Sequence, residues 1–190
     1  MIPDKLEIKI KGVTYFFDTK DMNGRMSTYN KLYFLLKHLR PKELEKVLAN
    51  IMAWADISPY CRKTYRTMTI EEVIKLSKSK IANIGTHTHN HPMLSILSYN
   101  EQIEEIKISK ALIEDLIGKE VVSFSYPYGE KKDYNRESIK ICKNLGFKVA
   151  CASFYGQVHS WSSVYELPRC LVRDWDLQTF KNRVKHFFRF

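Results

Sequence analysis

Long apolar runs are missing from this 190-residue sequence. No stretch approaches the roughly 20 apolar residues that a membrane-spanning helix needs. The N-terminus, MIPDKLEIKIKG, lacks the apolar core of a secretory signal, so the chain as it stands is expected to be cytoplasmic. Cysteine is sparse and scattered. Cys61, Cys142, Cys151 and Cys170 form no CxxC pair, which excludes a zinc ribbon and a thioredoxin-type motif. Cys142 and Cys151 lie inside apolar patterns and read as small core residues. Internal repeats, low-complexity runs and obvious linkers are also lacking, as are helix-turn-helix, finger and RNA-binding signatures. Acidic residues are outnumbered, 21 against 31 lysines and arginines, for a net charge of +10. That balance favours polyanions as partners, but a diffuse basic surface serves solubility equally well. The C-terminal FKNRVKHFFRF is the one segment that suits an anionic surface; it also reads as an amphipathic closing helix with its phenylalanines in the core.

What is present is a single domain of 1–190 with a change of rhythm near residue 80. LEIKIKGVTYFFD alternates about Lys11-Gly12 and predicts a β-hairpin. STYNKLYFLLKHL and PKELEKVLANIMAWA predict two helices, the second opened by Pro41, where a missing N–H costs nothing. DISPYCRKTYR reads as a loop, and Thr69 with Glu72 caps a further helix. Beyond residue 80 strands and helices alternate. KIANIG, VVSFSY, FKVACAS and LPRCLVRDW are the expected strands. Helices are expected from Ser98 to about Leu116, from Arg136 to Leu145 and over LQTFKNRVKHFF. This is the order of parallel βαβ units, whose chemistry sits at the carboxyl ends of strands. Two polar clusters lie there: THTHNHP and YPYGE.

His87, His89 and His91 occupy alternate positions. In an extended chain all three would face one side and could form a zinc site with an open position. If the chain turns instead, His87 and His91 approach each other and His89 points away. A polar loop that binds nothing is the third possibility.

GTHTHNHPMLSILS resembles the second motif of the polysaccharide deacetylases (carbohydrate esterase family four, the NodB-like domain), with His87, Thr88, His91 and Pro92 at the matching positions. FSYPYGE resembles the third motif through Pro127, Tyr128 and Gly129, and the resemblance covers residues 69 to 180. It implies an α/β fold, an incomplete (β/α) barrel of the polysaccharide deacetylase type. Residues 69–190 would form the βα core, and 1–68 the N-terminal β-hairpin and helical insert. It implies metal-dependent hydrolysis of N-acetyl groups on a carbohydrate in surface-polysaccharide metabolism, by a zinc-dependent hydrolase of carbon–nitrogen amide bonds. His87 and His91 would be ligands to zinc or another divalent metal, weakly held. Tyr128 would offer its backbone N–H to the oxyanion, and Tyr126, Pro127 and Tyr128 would shape the sugar groove.

The departures bear on activity. The family's first motif ends in adjacent aspartates, a base and a third metal ligand, and no Asp-Asp pair exists here. Asp18, near Asp21, is the nearest imitation, and His89 could complete the metal set if the loop is extended. Ser125 stands where the third motif commonly carries an arginine that orients the base; Arg169 in LPR is the candidate substitute. For a late histidine acid, only His159 and His186 remain in the C-terminal half. The chain thus resembles the family's C-terminal two-thirds without the first βα unit. That arrangement leaves a sheet edge open to a second copy, to a separate N-terminal partner, or to the hairpin itself. A non-catalytic glycan-binding or partner subunit with the same fold is the competing expectation.

Overall fold

The protein is described by a computed structural model covering residues 2–58 and 63–187. The alternation in LEIKIK builds β1 (Lys5–Ile10), which pairs antiparallel with β2 (Val13–Asp18), Ile10 opposite Val13 and Lys5 opposite Asp18. Lys11 (φ 49°) and Gly12 (φ 83°) form the two-residue turn, both in the left-handed region that such tight hairpins require. Leu6, Ile8 and Ile10 point inward with Phe17 and pack on Leu32 of α1 (Met22–Lys37) and on Leu39 and Val47, the latter in α2 (Pro41–Trp54). Helix α1 starts earlier than expected because Asp21 caps it, accepting a hydrogen bond from the Gly24 N–H at 2.8 Å.

A separate core organises the rest. Helix α3 (Ile70–Ser77) is capped reciprocally by Thr69 and Glu72, and α4 (Tyr99–Ile117) by Ser98 and Glu101. Gly118, at φ 65°, ends α4 in the left-handed conformation. Then come β3 (Ser123–Ser125), α5 (Arg136–Asn144) capped by Asn135, β4 (Val149–Cys151) and α6 (Leu177–Phe187). Ile106, Val121, Phe124, Ile141, Phe147 and Ala150 are buried together at the centre.

Strands β3 and β4 run parallel, with Phe124 beside Ala150. The two outer strands expected here are not formed. KIANIG forms no ladder; only Thr86, the residue after it, is bridged to Phe124, and Ile81 is 98 % exposed. LPRCLVRDW contributes a single bridge from Leu167 to Cys151. The passes nevertheless lie side by side in chain order: Thr86, β3, β4, Leu167. The result is a mixed α/β arrangement with no closed barrel among the described residues. A segment paired on one side only, and there at one residue, has too few ladder bonds to be held as a strand. Helix α6 buries none of its residues, so Phe180 lies outside the core where it was expected; Phe187 meets Tyr155 edge-on, while Phe188 and Phe190 lie outside the described residues. No described helix is long and apolar enough to cross a membrane.

Candidate active site at the ends of the parallel segments

Two backbone hydrogen bonds fix the start of the histidine segment: Thr86 N–H to Ser123 O at 3.0 Å, and Ser125 N–H to Thr86 O at 2.9 Å. The chain then turns sharply. Thr88 (φ 65°) and His91 (φ 55°) are both left-handed, and the Thr88 hydroxyl accepts the His91 N–H at 3.1 Å. The turn sets the His87 and His91 rings 4.7 Å apart, edge to face. His87 Nδ1 lies 2.7 Å from the Ser125 carbonyl oxygen, an acceptor, so Nδ1 is the donor, and in the neutral ring Nε2 is the nitrogen with the lone pair. Partial burial, and then the proximity of His87, hold the His91 pKa below the ordinary histidine value. Both effects favour the neutral form that can act as a donor to a metal.

Tyr128 closes the other side, its ring 4.9 Å from that of His91. It is held at φ 60° by a clamped turn. The Gly129 N–H donates to Pro127 O, Gly129 O accepts from Ser153 N–H at 2.8 Å, and the Ser153 hydroxyl donates to Tyr128 O at 2.5 Å. Helix α1 reaches this turn from the N-terminal unit. Tyr33 lies edge-on to Tyr128 with ring centroids 6.2 Å apart, and Lys37 Nζ stands 4.9 Å above the same ring. Lys37 also pairs with Asp133 at 2.7 Å, the two side chains only 4 % and 0 % exposed. Asp133 in turn accepts the Glu130 N–H at 2.9 Å. Tyr33 and Lys37 escaped the sequence reading; the available signal was a lysine four residues after a tyrosine on an apolar helix.

The other expected residues are placed elsewhere. Tyr126 and Pro127 are fully buried, which removes their side chains from any sugar groove. The Tyr126 ring stacks on Tyr134 at 4.1 Å and its hydroxyl donates to Tyr165 O, with the phenol pKa raised by burial. His89 is turned away from its neighbours: its N–H is held by Glu105, and it lines a cleft of about 710 Å³ with Arg40, Glu101 and Glu104. Asp18 accepts the Lys20 N–H at the end of β2, on the hairpin. Arg169 donates from Nε to Ala152 O at 2.5 Å. His159 stacks on Trp161, and His186 is exposed on α6. Beneath the histidines, the Thr86 and Ser125 hydroxyl oxygens are buried with no hydrogen-bond partner among the described residues.

Catalytic zinc is held by three protein ligands with one position open. Here two imidazoles converge, and no group of three His, Cys, Asp or Glu side chains that could hold a metal occurs among the described residues. The donor set for a catalytic zinc is therefore incomplete among the described residues.

Residues 11–150 match the sequence profile of the family described as Polysaccharide deacetylase. The match begins at the hairpin turn, well before residue 69, and ends in β4. YxkH of Bacillus subtilis (strain 168), a polysaccharide deacetylase by name, is 27% identical over 105 residues, which are 55% of this chain and 36% of YxkH. The chain thus spans about a third of that relative. Among solved structures, the Streptococcus pyogenes deacetylase PplD in complex with acetate superposes with a TM-score of 0.57 at 19% identity, covering 76% of this chain and 65% of that one. A de-N-acetylase from Aggregatibacter actinomycetemcomitans gives 0.53 at 17% identity, covering 72% and 69%. BC0361 of Bacillus cereus, a polysaccharide deacetylase, gives 0.56 at 19% identity, covering 64% and 38%. These structures share the fold. With the profile matching well over half of its length, the chain belongs to the polysaccharide deacetylase family.

Proposed function

We propose that the chain acts on N-acetylated carbohydrate in surface-polysaccharide metabolism, at the site formed by His87, His91 and Tyr128, on an incomplete barrel of the deacetylase type. The observation that carries this reading is the pair of imidazoles packed edge to face, with His91 against Tyr128, at the carboxyl ends of parallel segments. In this reading His87 and His91 hold a divalent metal weakly, and the Tyr128 backbone N–H serves an oxyanion. Acetamide hydrolysis further needs an acidic ligand and a base. No third metal-ligating side chain joins the two histidines among the described residues, so acetyl release by the chain alone is expected to be slow.

A second reading is favoured by that same shortfall: a glycan-binding subunit that works with a second chain. Thr86 is bonded to the sheet on its β3 side, and an open edge there would accept a strand. A second copy or a different chain docking there would bring further side chains to the histidines. A monomer at all concentrations in gel filtration would remove the second copy.

Zinc titration by calorimetry, read beside acetate release from N-acetylated oligosaccharides, tests the primary reading. Binding with a dissociation constant on the order of micromolar, lost in His91→Ala and kept in His89→Ala, supports the two-histidine site. Equal loss in both variants would mean that the loop opens into a three-histidine site. No binding at millimolar zinc would remove the metal from the proposal and leave glycan binding as the function.

A further inference from the structure

Helix α1 meets the candidate site at one end and leaves the rest of the same face open. Tyr33 touches Tyr128 edge-on, and Lys37, one turn on, covers the same ring. In the opposite direction Tyr29, Met26 and Met22 continue that face at helical spacings of four, three and four residues. Tyr33 is 43 % exposed, Tyr29 64 %, Met26 57 % and Met22 71 %. This row is not the core face of the helix. Thr28 and Leu32 are buried instead, and Leu32 packs on the hairpin. An amphipathic helix normally buries its large apolar side chains, so a row of rings and thioethers held in solvent asks for an occupant.

We propose that Tyr33 and Tyr29, with Met26 beyond them, form an extended subsite for a neutral glycan chain that runs from the His87–His91–Tyr128 site along α1. The proposal rests on the carbohydrate reading of that site. Three observations choose this occupant. The row is continuous with the site through the Tyr33–Tyr128 ring contact. Tyrosine presents an apolar face with a hydroxyl at its rim, which suits the C–H face and hydroxyl edge of a sugar. Tyr29 and Tyr33 are spaced about 6 Å apart along the helix axis (a rise of ~1.5 Å per residue), close to the separation of successive sugars in a chain.

The test is calorimetric titration with β-1,4-linked N-acetylglucosamine oligomers of one to six units, on the native chain and on Tyr29→Ala. Tyr29 is exposed, so the variant keeps the fold. The expected result is affinity rising about tenfold between the dimer and the pentamer. In Tyr29→Ala that gain disappears while dimer binding stays unchanged. Equal affinity for dimer and pentamer, or a length gain that survives Tyr29→Ala, overturns the subsite and leaves the site itself intact. Failure of every oligomer to bind overturns the carbohydrate reading, and the subsite with it. A concentration-dependent dimer in sedimentation, abolished by Tyr29→Ala without any length effect, would assign the row to a second copy of this chain.

Discussion

At the scale of single residues, His91 has a testable proton affinity. Its pKa lies below the ordinary histidine value of 6.5, first because it is partly buried and then because His87 stands beside it. The unfolded chain therefore binds a proton at this position more readily than the native one. The native state keeps its full advantage above pH 6.5 and loses it as the pH falls from there through the lowered native pKa. An NMR titration of the imidazole protons is expected to place the His91 midpoint below 6.5, and His87→Ala to move it part of the way back. Cys142 gives a second prediction. Burial pushes its thiol up to about 12. Mass spectrometry after iodoacetamide at pH 8 should therefore find Cys151 and Cys170, both partly exposed, labelled before Cys142. The histidine pair was legible as one of two geometries, and the left-handed turn at Thr88 and His91 chose between them. The tyrosines were not separable by pattern: Tyr126, just past the end of β3, faces the core, while Tyr128 belongs to the turn beyond it. One-dimensional spacing does not say where a three-residue strand stops.

At the scale of elements, helices were easier to read than strands. Reciprocal caps at Thr69/Glu72 and Ser98/Glu101 are local chemistry, complete within four residues, and both helices begin where those signals lie. The strand expected at KIANIG depended on a neighbour that the segment itself does not contain, and only Thr86 pairs. The turn after β3 can be probed at Gly129. A Cβ there would meet the Ser153 nitrogen at 2.8 Å and its hydroxyl at 2.9 Å, in a backbone at φ 77°. Gly129→Ala is expected to cost about 2–4 kcal/mol in chemical denaturation, from backbone strain together with a clash against main chain. Gly118→Ala is the control: φ 65° with open space around the added carbon, for a cost of about 1 kcal/mol.

At the scale of the whole molecule, two hydrophobic cores are tied together by polar and aromatic contacts at the edge of the site. Lys37 of α1 pairs with Asp133 next to the Tyr128 turn, and Arg40 with Glu101 at the start of α4. The Arg40 pair is solvent-exposed and contributes little. The Lys37 pair is buried, so removing one member leaves an uncompensated charge. Lys37→Met is expected to lower stability by roughly 3–5 kcal/mol, and Lys37→Met with Asp133→Asn to recover most of the loss. Urea unfolding of the single and double variants decides the point; additive losses would mean that the charges do not depend on each other. No sequence pattern announced this tie, because its halves lie in separate cores and each alone reads as a surface charge.

Three of the non-glycine residues with positive φ, Thr88, His91 and Tyr128, surround the same small volume. Each left-handed L-residue holds about 1–2 kcal/mol that glycine or asparagine would release. A laboratory selection for heat resistance would therefore enrich replacements at these positions early, and the enriched clones would have lost the imidazole, the hydroxyl that braces it, or the ring beside it. Screening for robustness would erase the site before it touched the core, and any campaign to evolve this scaffold must hold those three codons fixed.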